Sequence, residues 1–285
     1  MTYDVAIIGT GPAGLSAALT LKANSKNFIW IGSKTLSDKV TKAERISNYP
    51  GFADVAGEAL NAAFQTQIQV QDIPIVDRMV NSIIPMGSAY AIMAGSDFYQ
   101  AKTIILATGV TSTGTLPCEQ EMVGRGVSYC ATCDGTLYKG KTIAVICNNV
   151  RFEHEVKYLA ELAETVYYFP YYKDIGPLSG NVTIMDQKPS GILGDKRVSS
   201  VKLRNGETLN VDGVFCLRDS VSLATLLPNI ATEKNHIAVN RSMATNLPGC
   251  FAAGDCTGRP YQYAKAIGEG NVAAHSVIEY LSEQK

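Results

Sequence analysis

The sequence predicts an α/β protein of two domains, each built on parallel strands joined through helices. Three observations carry that reading. At 285 residues the chain is long enough for about two domains of roughly 100–200 residues. An apolar strand running into a turn and a helix occurs twice, at 4–19 (DVAIIGTGPAGLSAAL) and at 141–156 (KTIAVICNNVRFEHEV). Two further apolar runs, TIILATG (103–109) and GCFAAGDC (249–256), finish on small residues, as buried parallel strands do where a ligand approaches their C-terminal ends.

Bulk composition narrows the class. Hydrophobic residues make up 46% and charged residues 18%, values of an ordinary globular chain. A formal net charge of −1 points to neither nucleic acid nor a membrane surface. No apolar run reaches the roughly 18 residues of a membrane span. The segment MTYDVAIIG enters a strand directly and leaves no room for a signal peptide, so a cytoplasmic protein is expected. The cysteines number seven. In the cytosol most are expected as free thiols, and a close pair as catalytic.

The first strand–turn–helix carries Gly9-x-Gly11-x-x-Gly14. In this pattern the first glycine permits a tight turn, the second lets the backbone approach a pyrophosphate, and the third lets the helix pack on the strand. The helix N-terminus then offers N–H groups and the positive end of its dipole to phosphates. A Rossmann-type dinucleotide site is expected here. The second strand, FIWIGSK, ends in Gly32-Ser33-Lys34 without an acid for a ribose hydroxyl, which weakens the case for NAD and leaves FAD open.

The second unit has the same order with the glycines gone. Gly9 aligns with Cys147, Gly11 with Asn149 and Gly14 with Phe152. Asparagine tolerates φ > 0, so the turn itself is expected to survive. The phenylalanine is expected to hold the helix off the strand or to fill the phosphate space. The next strand, ETVYYFPYYKD (164–174), ends in Phe169-Pro170-Tyr171-Tyr172, with Lys173 the only nearby cation. A strand serving NAD would end in an acid, and one serving a 2′-phosphate would lead to arginines. DGVFCLRDS (212–220) finishes on Arg218-Asp219. The second domain thus reads as keeping the fold and losing the nucleotide. YYFPYY reads as a buried strand, with a stacking surface for a second flavin or other ligand as the alternative.

Between the two units lies Cys130-Ala131-Thr132-Cys133-Asp134. Cysteines at this spacing can close and reopen a small disulfide by thiolate exchange. Zinc would need a second ligand pair, and His154, His236 and His275 are scattered, so no metal is expected. Asp134 is a candidate proton donor and acceptor, or a turn residue before Gly135. Cys118, Cys147, Cys216, Cys250 and Cys256 are expected as small buried hydrophobes.

In order, GxGxxG, ILATG, CATCDG and AAGDC resemble the low-molecular-weight flavoprotein thioredoxin reductases over essentially the whole chain. The resemblance implies two Rossmann-like domains of the three-layer FAD/NAD(P)-binding type, the second inserted in the first. Residues 1–112 and 241–285 would form a discontinuous FAD-binding domain, and 113–240 a degenerate pyridine-nucleotide-type domain carrying the redox pair. It assigns FAD contacts to Gly9, Gly11, Pro12, Ala13, Gly14, Ser33 and Lys39. Further contacts fall to Asn48 of SNYPGF (47–52), to Thr108 and Gly109, and to Gly254 and Asp255. The last come from YQYAKAIGEG (261–270), where Gln262 is retained and Tyr261 replaces the family's arginine. It also implies that Cys133 faces the flavin, that Cys130 attacks thioredoxin, and that Asp134 is the family's acid.

Departures from the family pattern bear on the electron donor. The NADPH fingerprint GGGxSA reads Cys147-Asn148-Asn149-Val150-Arg151-Phe152 here, and the His-Arg-Arg cluster for the 2′-phosphate is missing. The flavin-side GGQL loop reads Ser37-Asp38-Lys39-Val40. This pattern resembles the ferredoxin-dependent, pyridine-nucleotide-independent branch. It implies a homodimeric disulfide reductase with ferredoxin as donor, FAD as cofactor and thioredoxin as disulfide substrate. A diflavin or NAD(P)H-dependent oxidoreductase and an FAD-bound redox sensor stay open as alternatives. The run SKTLSDKVTKAER (33–45) sets Lys34, Lys39, Lys42 and Arg45 against Asp38 and Glu44 and is the expected docking surface for an acidic ferredoxin. Arg125, Lys139 and Lys141 near the cysteine pair are the other candidates.

Overall fold

The computed structural model describes residues 2–110, 116–119, 121–129, 131–218 and 223–284, with the backbone alone for Cys133, Leu223 and Ala224. The chain divides into two compact units, Met1–Val110 with Leu226–Lys285, and Thr111–Thr225. Residues 226–240, placed from the sequence in the inserted domain, lie in the first unit.

The first unit opens with β1 (Thr2–Ile8), α1 (Pro12–Ala23) and β2 (Phe28–Gly32). Then follow α2 (Asp38–Thr41), α3 (Gly57–Val70), β3 (Val76–Asp77), β4 (Val80–Met86), β5 (Ala89–Ala94) and β6 (Asp97–Leu106). Val5 to Ile8 are buried without alternation, the pattern of a strand covered on both faces. The sheet runs β3-β2-β1-β6-β5-β4. Strand β6 is long enough to do two jobs. Its first half pairs antiparallel with β5 from Asp97 to Ala101, and its length from Gln100 to Leu106 pairs parallel with β1.

The inserted unit comprises β7 (Val127–Ser128), α4 (Ala131–Asp134), β8 (Thr142–Cys147), α5 (Glu153–Leu162), β9 (Thr165–Pro170) and β10 (Val182–Ile184). It continues with β11 (Pro189–Gly194), β12 (Val198–Leu203), β13 (Thr208–Asn210) and β14 (Gly213–Leu217), and α6 (Leu223–Leu226) crosses its boundary after Thr225. Its sheet, β10-β9-β8-β14-β7, is parallel throughout, and β11-β12-β13 form a separate antiparallel sheet. Gly213 lets Tyr138 lie against the sheet, since a Cβ there would stand 2.2 Å from the Tyr138 ring. That ring meets Phe215 edge-on at 5.2 Å.

The chain returns to the first unit with β15 (Thr232–Glu233), β16 (His236–Ile237), β17 (Cys250–Ala252) and α7 (Tyr263–Glu283). Strand β17 pairs parallel with the second half of β6. Helices α1 and α7 bury Ala13, Ala17 and Ala18 together with Ala266, Gly270, Ala273 and Ala274. Small side chains let the two backbones approach closely: a Cβ on Gly270 would stand 2.1 Å from the Ala13 carbonyl oxygen. Among the described residues no helix is long and apolar enough to cross a membrane.

Candidate functional site

In the first unit the glycine turn joins β1 to α1 at the C-terminal edge of the parallel strands. Gly9 adopts φ 107°, and a Cβ there would stand 2.3 Å from the Ala107 carbonyl oxygen. A Cβ on Gly14 would stand 2.0 Å from the Gly9 carbonyl oxygen. That same carbonyl accepts a hydrogen bond from Trp30 Nε1 at 2.9 Å, so strand, turn and helix are locked by contacts only glycine allows. Gly11 differs: it is extended (φ −72°, ψ −177°), and a Cβ there would meet nothing within 4 Å. It is the N-cap of α1, with no side-chain cap, Pro12 next and no acid in the first turn. The positive end of a 12-residue helix thus opens onto unfilled space, the arrangement that receives a phosphate.

Gly254 (φ 88°) would place a Cβ 2.9 Å from the Ala13 Cβ, so the Gly254–Asp255 turn sits against the first turn of α1. A charged pair on α7 holds it. Lys265 Nζ donates to Gly254 O (2.7 Å), Thr257 Oγ1 (2.9 Å) and Gly258 O (2.9 Å) and lies 3.0 Å from Glu269 Oε2. Glu269 Oε2 in turn accepts from Gly254 N (2.9 Å) and Thr257 Oγ1 (2.8 Å). Neither residue was singled out in the sequence. Their i,i+4 spacing on a helix was the available signal.

Of the other expected cofactor contacts, several converge. Lys39 Nζ lies 3.7 Å from Asp255 Oδ2 and donates to Val110 O at 3.4 Å, beside Thr108 and Gly109 (φ 69°). Asn48 Nδ2 donates to Gln262 Oε1 at 2.8 Å. Tyr263 OH donates to Lys39 O at 3.3 Å. Ser33 forms a local turn, its Oγ 2.7 Å from Thr35 Oγ1, and Thr10 Oγ1 donates to Leu36 O just beyond it. Tyr261 is 39% exposed; its hydroxyl lies 2.6 Å from His236 Nε2 and Arg259 stacks on its ring at 5.1 Å. In the proposed docking run Lys39 is therefore engaged by Asp255, and Arg45 by Asp54 at 2.8 Å. Lys34 and Lys42 are exposed.

The corresponding turn of the second unit is closed by its own side chains. Asn149 is extended (φ −147°, ψ 137°), as is the aligned Gly11, so the positive φ that asparagine tolerates is not used at this position. Asn149 Oδ1 instead caps the chain, accepting from Arg151 N at 3.2 Å. Val150–Phe152 form a 3₁₀ turn, and α5 begins only at Glu153, with Glu153 and Glu155 in its first turn. Phe152 is buried, 6% exposed. Glu153, also buried, accepts from Tyr172 OH (3.0 Å) and Gly176 N (3.0 Å), and Tyr172 is hydrogen-bonded to Tyr168. Tyr168 and Phe169 are fully buried, so YYFPYY is largely core. Only Tyr171 of its second half is substantially exposed, with Lys188 over its ring at 4.9 Å. A carboxylate thus occupies the first turn of α5, where α1 carries no acid.

Cys130 lies outside the described residues, and the backbone of Cys133 lies in α4. What surrounds them is described. Asp134 Oδ2 accepts from Ser128 Oγ at 2.6 Å. Tyr129 OH donates to Glu119 Oε1 at 2.8 Å, and Glu119 is gripped by both terminal nitrogens of Arg218 at 2.7 and 2.9 Å. Burial pushes the Glu155 carboxyl up, opposed by the charges of His154 and Arg151 and by the Ala131 N–H. Cys147, Cys216, Cys250 and Cys256 are buried free thiols, whereas Cys118 is exposed, which corrects the expectation for that residue: it lies in a surface turn rather than a strand. Among the described residues no cluster of ligands could hold a metal.

An open dinucleotide turn on one α/β unit, and a cysteine pair on a second whose own turn is filled, define a disulfide oxidoreductase. Residues 3–147 and 180–270 match the pyridine nucleotide-disulphide oxidoreductase family. A thioredoxin reductase of Listeria innocua is 31% identical over 99% of this chain and 95% of its own length. Two solved structures of a ferredoxin-flavin thioredoxin reductase from Clostridium acetobutylicum are similar throughout. One is 48% identical, with TM-score 0.90 over 99% of both chains; the other is 44% identical, with TM-score 0.94 over 100% of this chain and 99% of that one. The chain belongs to the pyridine nucleotide-disulphide oxidoreductases and, within them, to the low-molecular-weight flavoprotein thioredoxin reductases. FAD is the cofactor, and the first unit fits it: Gly11 leaves space for the pyrophosphate, and the first turn of α1 is uncapped.

Proposed function

We propose that this flavoprotein is a ferredoxin-dependent thioredoxin reductase: reduced ferredoxin supplies electrons, and the disulfide of thioredoxin receives them by exchange with Cys130 and Cys133. The observation that carries this reading is the contrast between the two turns. The N-terminus of α1 is open and free of acids, whereas the aligned turn before α5 is capped by Asn149 and followed by the buried Glu153. An anionic pyrophosphate is welcome at the first and repelled at the second. The names of the Clostridium acetobutylicum proteins, at 48% and 44% identity, support the same donor.

On this reading the first unit binds FAD, through Gly9 to Gly14, the Gly254–Asp255 turn, Lys39, and Asn48 with Gln262. The second carries the redox pair and serves as a docking body. Bound flavin supplies a centre that can take up electrons singly and give up a pair. Two reduced ferredoxins yield two electrons, which with two protons open the Cys130–Cys133 bond to two thiols. The Cys130 thiolate attacks the thioredoxin disulfide, forming a mixed disulfide. Cys133 then attacks the Cys130 sulfur, closing the enzyme disulfide and releasing thioredoxin as the dithiol. Asp134, held by Ser128, is the proton carrier. A ferredoxin at about −400 mV and a thioredoxin at about −270 mV leave roughly 6 kcal/mol for two electrons. The resemblance further implies a homodimer.

Anaerobic titration of the purified flavoprotein tests the donor. Reduced ferredoxin should bleach the flavin absorbance, while NADPH and NADH should not. Rapid bleaching by micromolar NADPH would sink the reading. Flavin content should be one per chain.

A further inference from the structure

We infer that Glu119, oriented by Arg218, is a positioning residue for the redox turn and acts through Tyr129; this rests on the reading of Cys130 and Cys133 as an exchangeable pair. Glu119 is 0% and Arg218 4% exposed. Two buried charges cost more than an apolar pair of the same volume unless their hydrogen-bonding capacity is used. The carboxylate uses it fully, whereas Arg218 Nε is buried with no hydrogen-bond partner among the described residues. Oε1 accepts from Arg218 Nη1 (2.7 Å) and Tyr129 OH (2.8 Å), and Oε2 from Arg218 Nη2 (2.9 Å) and Leu116 N (2.8 Å). What such a pair offers over packed hydrophobes is direction. The planar guanidinium fork sets the plane of the carboxylate, and the carboxylate fixes where the phenol points.

Tyr129 is the residue before Cys130, and its ring is 6% exposed. Its neighbour Ser128 belongs to β7, paired with Phe215 of β14, and donates to Asp134 Oδ2. The two residues leading into the cysteine pair are thus held separately, one by the acid of the redox turn and the other by the buried ion pair. Arg218 directly follows β14, so the strand that pairs with β7 also supplies the group that orients Glu119. An anchored turn raises the effective concentration of one thiol at the other, which favours the closed disulfide. A freer turn shifts the balance toward the dithiol.

The test uses holoprotein carrying Tyr129→Phe, Glu119→Gln or both, equilibrated with mixtures of reduced and oxidised dithiothreitol. Dithiothreitol gives two electrons and two protons to the Cys130–Cys133 bond and closes its own disulfide. Alkylation and mass analysis count the disulfide that remains. Tyr129→Phe should move the equilibrium constant about tenfold toward the dithiol, the worth of one hydrogen bond to a charged group, with a melting temperature near wild type. Glu119→Gln should move it the same way, and the double variant should go no further than the larger single effect, because both break one relay. If Glu119→Gln fails to fold, Tyr129→Phe alone decides. A wild-type constant in Tyr129→Phe, or shifts that simply add, would overturn the inference and leave the proposed function standing. A wild-type protein with no exchangeable Cys130–Cys133 disulfide would overturn both.

Discussion

Replacing Gly11 by alanine separates the needs of the fold from those of the cofactor. The backbone at Gly11 is extended (φ −72°, ψ −177°), which alanine adopts without strain, and its Cβ would meet nothing within 4 Å. An alanine N-cap costs about 0.5–1 kcal/mol relative to glycine, offset in part by roughly 0.4–1 kcal/mol from a less flexible unfolded chain. Apoprotein carrying Gly11→Ala should therefore melt within a few degrees of wild type. Binding should suffer, because the new methyl projects into the space left for the pyrophosphate. Losing two hydrogen bonds to a charged group, at roughly 1.5–3 kcal/mol each, raises the FAD dissociation constant by about 10²- to 10⁴-fold. Fluorescence titration of apoprotein with FAD, beside its thermal melt, measures both. Gly14→Ala is the contrast: its Cβ would stand 2.0 Å from a backbone oxygen, so the apoprotein itself should be destabilised. Unchanged FAD affinity in Gly11→Ala would refute the assignment of this turn to the cofactor.

Lys265→Met strips three hydrogen bonds from the Gly254–Gly258 turn and leaves Glu269 without its cation. A loss of roughly 2–4 kcal/mol in holoprotein stability, with FAD released on dilution, is expected from melting and filtration assays. Iodoacetamide at pH 8 should label Cys118 and spare Cys147, Cys216, Cys250 and Cys256 until the chain is unfolded. Burial disfavours their thiolates, pushing Cys256 up to about 11 and Cys250 to about 12, so peptide mass mapping should find them unmodified. Cys130→Ser should show a long-wavelength thiolate–flavin charge-transfer band and Cys133→Ser should not; the reverse pattern would exchange their roles. Lys34→Glu with Lys42→Glu should slow flavin reduction by ferredoxin in stopped flow and flatten its salt dependence, since screening acts within about 8–10 Å. Reduction by dithionite should stay unchanged.

Much of the site could be read along the chain because its parts are contiguous. The glycine pattern from Gly9 to Gly14 is local in sequence, although Ala107 and Trp30 hold the turn in the fold, and its aligned counterpart announced its loss through Cys147, Asn149 and Phe152. The way that loss is sealed was not legible. Glu153 gains its function from Tyr172 and Gly176, which no local pattern links to it. Asn149 read only as a residue the turn could tolerate, whereas in the fold its side chain caps the turn by accepting from Arg151 N. Lys39 read both as a docking charge and as a cofactor contact, and nothing local in the sequence links it to Asp255, 3.7 Å away in the fold.

Arg218 shows the division most clearly. In the sequence it was a charge where a small strand end was expected. In the fold it meets Glu119, 99 positions away in the chain, and the pair then reaches Tyr129. By itself the sequence determined the two strand–turn–helix units, the cysteine pair and the emptied glycine positions, since strand and helix periodicity and turn chemistry act over a few residues. Only the tertiary structure decided which charges pair, which thiols are buried and to which unit residues 226–240 belong, because a buried polar group must find its partner wherever the chain brings one.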